Sequence, residues 1–207
     1  MNFLAHLYLS GDDSEIRLGN FIGDYVKGKK LDNYSTKVQT GIRLHRSIDF
    51  FTDKHQSTRN CIELLRPGYQ KYSGVVLDVI FDHILAVRWH EFSQRDLKDF
   101  TRTFYFQMLQ QYFQLPLTVK KFLPFMIYSN RLLSYSNLSG LKKALEIMSV
   151  NTSLPNNGKF AIDIVQSNFN FLSDNFTALF SELNHLVKTE YNINLAHHTY
   201  PNRVSKE

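Results

Sequence analysis

One stretch limits what this chain can become. Val75 to His90 reads VVLDVIFDHILAVRWH, with large apolar residues on nearly every face of a helix rather than along one stripe. Such a helix belongs in the middle of a core. Yet Asp78, Asp82 and His83 sit at its centre. Asp78 and Asp82 lie one turn apart and point the same way, with His83 about 100° round from Asp82. A carboxylate taken out of water costs several kcal/mol unless it is paired or bound to a metal. The stretch therefore demands a cationic partner.

The rest of the chain reads as helices around it. Met1 to Leu9 is apolar about His6 and fits either a helix or an extended segment. Asp12, Asp13 or Ser14 can cap a helix through Ile16, Phe21 and Val26, stopped by Gly28. Ser35 caps the next, which buries Val38, Ile42, Leu44 and Ile48; a short helix from Ser57 ends before Pro67. Ser93 with Asp96 resembles a capping box opening an aromatic helix to about Phe113. Pro116 fits the first turn of a helix that reaches Leu133 with a kink at Pro124. A shorter helix spans Leu138 to Met148, SLPNNG makes a turn, and one long closing helix runs from Ile162 to Val187. The tail from Asn192, with His197, His198 and Pro201, is polar and frayed in this reading. Period-2 alternation is never sustained. The sequence predicts an all-α, single globular domain over 1–207, a bundle of about seven or eight helices.

Composition narrows the setting. A single cysteine, Cys61, excludes an internal disulfide framework and a cysteine-based zinc cluster, which fits a reducing cytoplasm. The start MNFLAHLYLS lacks a basic leader region, and no apolar run is long enough to span a membrane, so a soluble cytoplasmic protein is expected. The net charge of +5 favours an anionic partner such as an acidic protein, nucleic acid, phosphate or a membrane surface.

Other polar groups interrupt apolar segments. His6 breaks FLAHLYL; Asn20 and Asp24 are one turn apart in GNFIGDYVKG; His45 and Asp49 stand at i and i+4 in GIRLHRSIDFF, with Asp53 a turn further. Each alone is ordinarily a hydrogen-bonded core or helix-surface group. Asp78 and Asp82 can equally be neutralised by Arg43, Arg46 or Arg88 in a structural network. Together with Asp82 and His83, they place His and Asp groups on four segments. That set suits oxygen and nitrogen ligation of Mn²⁺, Mg²⁺ or Fe²⁺ better than a closed zinc site. Arg17 and Lys27 flank Asp24, and Arg43 and Arg46 flank His45, where a phosphate ester can be captured.

These segments carry a resemblance. NFLAHLYLS, GNFIGDYVKG, GIRLHRSIDFFTD and LDVIFDHILAVRWH, in order and with matching spacing, resemble the acyl carrier protein phosphodiesterases, also called acyl carrier protein hydrolases. The resemblance implies removal of the phosphopantetheine arm from holo acyl carrier protein by an enzyme needing a divalent cation, typically Mn²⁺. It implies an all-α fold related to the HD-domain phosphohydrolases, and it points to Asp24 as the essential position. The usual His-Asp dipeptide is absent, its place taken by Asp82-His83. On this reading His6, Asp24, His45, Asp82 and His83 hold the metal, Asp49 or Asp78 orients water or takes its proton, and Arg43 and Arg46, with Asn20 and Lys27, hold the phosphate. Which carboxylate is ligand and which is base is left open by the spacing. Two further readings are a metal-dependent nucleotide phosphohydrolase of HD type and a non-catalytic basic helical module that binds an acidic partner.

Overall fold

In the computed structural model, which describes residues 1–195, the chain is all-α: twelve α-helices and four short 3₁₀ segments, with no strand among the described residues. In chain order these are α1 (Phe3–Leu9), α2 (Ser14–Ile22), α3 (Thr36–Lys54), α4 (Gln56–Tyr69), α5 (Ser73–Val87), α6 (Trp89–Phe92), α7 (Leu97–Gln110), α8 (Leu117–Tyr128), α9 (Arg131–Ser134), α10 (Leu138–Asn151), α11 (Gly158–Ser167) and α12 (Phe169–Tyr191). The 3₁₀ segments are Gly23–Tyr25, Gly28–Asn33, Gln70–Tyr72 and Tyr112–Gln114. Residues His197, His198 and Pro201 lie outside the described part.

The count exceeds the seven or eight expected because long apolar runs are cut where a side chain competes with the backbone. The closing run breaks at Asn168, whose Nδ2 donates to the Ile164 carbonyl at 3.0 Å, leaving α11 and α12 as separate rods. Asn130, in the left-handed region at φ 44°, separates α8 from α9. Pro116 precedes α8 as its N-cap residue rather than lying in its first turn. Asp96, not Ser93, caps α7, by accepting from the Lys98 N–H at 2.7 Å. Asp13 and Ser35 cap α2 and α3.

As its apolar faces require, α5 runs through the core: Leu77, Ile80, Phe81, Ile84 and Leu85 are fully buried. Its two acids have different surroundings. Asp82 is also fully buried, and its two oxygens accept from the backbone N–H groups of Leu4 and Ala5 at 2.7 and 3.0 Å. Asn2, at the start of α1, offers no side-chain cap, so Asp82 satisfies from another helix the donors that an N-cap would take. This fixes α1 against α5 and sets the position of His6.

The crossing of α2 and α3 sets the other half of the site. A Cβ on Gly19 would lie 2.0 Å from the Val38 carbonyl oxygen, and one on Gly41 would lie 2.1 Å from that of Ile16. Only paired glycines let these backbones touch, and the contact draws His45 beneath the end of α2.

Candidate metal and phosphoester site

His6 projects from α1 and His45 from α3, and both rings meet Asn20 of α2. His6 Nδ1 lies 2.8 Å and His45 Nδ1 3.3 Å from the same Asn20 Oδ1. The orientation of that amide is fixed, because its Nδ2 donates to the His6 carbonyl and to Ser10 Oγ, each at 2.8 Å. Oδ1 can only accept, so both imidazoles carry their proton on Nδ1. The two Nε2 atoms are thereby turned toward carboxylates.

His6 Nε2 lies 3.0 Å from Asp49 Oδ1, and His45 Nε2 is 3.2 Å from both Asp49 Oδ2 and Asp24 Oδ1. The His45 contacts are close in distance but lack hydrogen-bond alignment, leaving Nε2 buried without a hydrogen-bond partner. A lone pair aimed at anionic oxygens needs a cation between them, either a proton or a metal. His6, His45 and Asp49 form a possible metal-binding triad whose ligand atoms lie within 4.8 Å of one another. Adjacent ligands about an octahedral ion with bonds near 2.1 Å are about 3.0 Å apart, which is close to the separations here. A carbonyl-type acceptor on the far nitrogen is also the usual outer support of a metal-bound imidazole. These residues fit a divalent ion.

Without a metal, the charges sort themselves. Burial pulls His6 down to about 4 despite its contact with Asp49. Burial also acts against His45, but the facing carboxylates of Asp24 and Asp49 outweigh it and raise it to about 9. Asp24 is lowered chiefly by its contact with His45. Burial alone would lift Asp49, but the two histidines hold it well below the usual carboxylate range.

A pocket of about 450 Å³ opens over this cluster, lined by Asp24, Asp49, Asp53, Asp78, Lys71 and Met148 among others. Asp24 stands on the Gly23–Tyr25 turn with its side chain 72% exposed, at the mouth; Asp49 is 37% exposed, at the floor. Gly23 makes room for the histidine: a Cβ there would lie 2.4 Å from His45 Cγ. Asp78 lies 3.0 Å from the Met1 α-ammonium, which is also 3.6 Å from Asp49. Burial raises Asp78 and outweighs that ammonium.

The structure thus brings together His6, Asn20, Asp24, His45 and Asp49, with Asp78 on the pocket wall. Asp82 and His83 are engaged elsewhere: Asp82 by α1, where burial lifts it to about 7, and His83 by the Tyr135 carbonyl, 2.6 Å from Nδ1. Arg43 is exposed and bonds Gln39; Arg46 donates to the Val26 carbonyl at 2.8 Å. Neither lines the pocket, and nor does the exposed Lys27. Arg17 is buried beside Gly11, Asp12 and Gln107, and Arg88 is paired with Glu91. The lysine that does line the pocket is Lys71, on the Gln70–Tyr72 turn. No motif marks it, and nothing local in the sequence connects it to the histidines.

Fold and site define an all-helical protein, among the described residues, in which two buried histidines and Asp49 form a cluster suited to a divalent cation beneath an acidic pocket. Residues 1–183 match the acyl carrier protein phosphodiesterase family, and the chain belongs to it. Relatives named acyl carrier protein phosphodiesterase include one from Photorhabdus laumondii, 39% identical over 89 residues, covering 43% of this chain and 45% of the relative. One from Serratia proteamaculans is 34% identical over 123 residues, covering 59% and 62%. Another from Enterobacter sp. strain 638 is 37% identical over 103 residues, covering 49% and 53%. The chain spans about half the length of the curated relatives it matches. No solved structure matches it. No helix among the described residues is long and apolar enough to cross a membrane.

Proposed function

We propose that residues 1–207 act as one all-α domain of a cytoplasmic, metal-dependent phosphodiester hydrolase. Its substrate is holo acyl carrier protein, and its products are the apo carrier and phosphopantetheine. The observation that carries this reading is the shared acceptor: Asn20 Oδ1 takes both Nδ1 protons, so the Nε2 atoms of His6 and His45 face Asp49 and Asp24 and require a cation. The family match supports this choice of substrate. The oxygen and nitrogen set suits Mn²⁺, Mg²⁺ or Fe²⁺, and the family resemblance makes Mn²⁺ the ion proposed. Kinship with the HD-type phosphohydrolases belongs to the same reading.

Each residue has a task in it. Asn20 holds the two imidazoles in one tautomer, and His6, His45 and Asp49 hold the cation. A divalent ion held by these three side chains would supply Lewis-acid polarisation of the phosphoryl oxygen and a lower pKa for the attacking water. Asp24, exposed at the pocket mouth, orients the attacking water and takes its proton. Lys71, in the lining of the same pocket, neutralises a non-bridging phosphoryl oxygen. Water adds to phosphorus, the bond to the carrier's serine oxygen breaks, and that oxygen leaves with a proton as the serine hydroxyl. A phosphodiester entering a pocket that holds four aspartates would be repelled without this compensation. A net charge of +5 steers the enzyme toward acidic carriers.

The test is incubation with holo carrier with and without Mn²⁺, read by intact mass. Loss of the phosphopantetheine mass only with metal is expected. An unchanged carrier while free nucleotides are hydrolysed would replace this reading with the nucleotide one.

A further inference from the structure

From Phe100 to Leu145 the chain holds no acidic residue, while Arg102, Lys120, Lys121, Arg131, Lys142 and Lys143 all fall within it. Glu146, where that stretch ends, is held near Lys142 and Lys143, at 4.0 and 3.8 Å. The same stretch exposes apolar side chains in an ordered way. Phe106, Leu109 and Phe113 recur at helical spacing along the end of α7 and the Tyr112–Gln114 turn, and Leu117 follows at the start of α8. On α8, Leu117, Lys121, Phe125 and Tyr128 share the outward stripe, opposite the buried Val119, Leu123 and Met126. Phe113 is 91%, Tyr128 90% and Leu117 69% exposed, so these side chains stand clear of the surface rather than lining a groove. The corner is braced from within: Lys120 Nζ donates to the Phe113 carbonyl at 3.2 Å and lies 5.4 Å from the centre of the Tyr112 ring.

We propose that this corner, the end of α7 with the outer stripe of α8, binds the surface of an anionic lipid bilayer. Exposed apolar residues with cations beside them and no carboxylate among them are what an interfacial segment presents to a membrane. The side chains of Phe113 and Leu117 enter the boundary between headgroups and acyl chains. Lys121 lays its stem along the same stripe with its charge among the headgroups, and Tyr128 keeps its hydroxyl in the wet layer. Anionic headgroups attract the cations of the acid-free stretch. Fluid hydrocarbon accepts a projecting ring of any shape, whereas a folded partner needs a matching hole for Phe113. That favours a bilayer over an acidic protein. No helix among the described residues is long and apolar enough to cross the membrane, so these helices attach at its surface.

The test is flotation of the purified protein with vesicles of phosphatidylglycerol and phosphatidylcholine in equal parts, and with vesicles of phosphatidylcholine alone. The wild-type protein is expected to float with the mixed vesicles and to bind the neutral ones at least about tenfold more weakly. Phe113→Ser combined with Leu117→Ser leaves the net charge unchanged. It should weaken binding to mixed vesicles at least about tenfold, the factor that burial of one such side chain supplies. Both side chains are largely exposed, so the double variant folds, which circular dichroism checks. Lys121→Gln should cost about fivefold. Phe50→Ser, which removes an exposed ring of α3, keeps the binding. A net charge of +5 can by itself hold a protein to anionic vesicles. Undiminished binding by the double variant therefore overturns the proposal, as does equal binding to neutral vesicles or none to either. In that last case, capture of holo carrier that the double variant loses would give the corner to the acidic carrier. A dimer that the double variant disperses would give it to a second copy of this chain.

Discussion

The imidazoles of His6 and His45 stack with ring centroids 4.2 Å apart and planes inclined by 23°, although one ring comes from α1 and the other from α3. Two positive rings are not held at that distance, so one proton serves the pair. Burial leaves His6 neutral, with a pKa of about 4, while Asp24 and Asp49 keep the proton on His45, at about 9. The metal-free site is thus a single imidazolium between carboxylates, and the shared proton marks where a stronger cation fits.

Removing the shared acceptor should uncouple the rings from that task. Asn20 is fully buried and binds both Nδ1 atoms. Loss of such outer support typically costs 10–100-fold in metal affinity. We expect Asn20→Leu to weaken Mn²⁺ binding by that factor while the protein stays helical. Calorimetric titration with Mn²⁺ checks it, and affinity equal to wild type would remove Asn20 from the site.

Gly23 gives an independent handle on the same geometry. A methyl there would overlap the ring of His45. Gly23→Ala should push the imidazole away from Asp24, lowering Mn²⁺ affinity at least tenfold with a stability loss of about 1–3 kcal/mol from overpacking. By contrast, Gly41→Ala meets backbone atoms of α2 rather than a side chain, and its cost should appear first in the thermal midpoint. Affinity and midpoint measured on both variants separate the two effects.

These glycines show what could be read in advance. The all-α class followed from helical spacing, and the burial of α5 followed from its apolar faces. His6, Asp24, His45 and Asp49 stood out because polar groups interrupted apolar segments. What each group touches was not legible. Asp82 and Asp49 are both acids on apolar helices, yet one receives the N–H groups of α1 and the other faces two imidazoles. That difference is set by how α1 packs on α5, a long-range contact with no local pattern. Arg43 and Arg46 were singled out for their place beside His45, but side chains at i±1 and i±2 leave a helix in other directions. Lys71 was invisible for the converse reason, since only the turn between α4 and α5 brings it to the pocket.

The metal-free protein should show the His45 proton in its stability. Its folded pKa, about 9, lies above the ordinary 6.5. Its contribution is therefore complete below pH 6.5 and is lost as pH rises through 9. We expect wild type to exceed His45→Gln in stability at pH 6 by about 1–3 kcal/mol more than it does at pH 10. Urea unfolding after chelation, at both pH values, measures that difference. Asp82 titrates in both proteins, so its effect largely cancels, whereas loss of the His45 charge lets His6 hold a proton to higher pH and sets the lower end of the expected range. An equal gap at the two pH values would mean that His45 carries no extra proton.

Lys71 separates catalysis from metal binding. It lines the pocket but has no contact with either histidine, and its charge is the one side-chain cation that the described lining offers a phosphodiester. Lys71→Met removes that charge and leaves His6, His45 and Asp49 in place. We expect kcat/KM on holo carrier to fall about 10²–10³-fold, as for loss of one preorganised electrostatic contact in a transition state, with unchanged Mn²⁺ affinity. Lys71→Arg should recover part of the rate, because a guanidinium also binds phosphate. Steady-state rates on holo carrier and Mn²⁺ titrations of both variants provide the check. A rate loss that tracks a loss of metal would place Lys71 in support of the cluster, whereas a full rate without the charge would leave phosphate neutralisation to the cation held by the histidines.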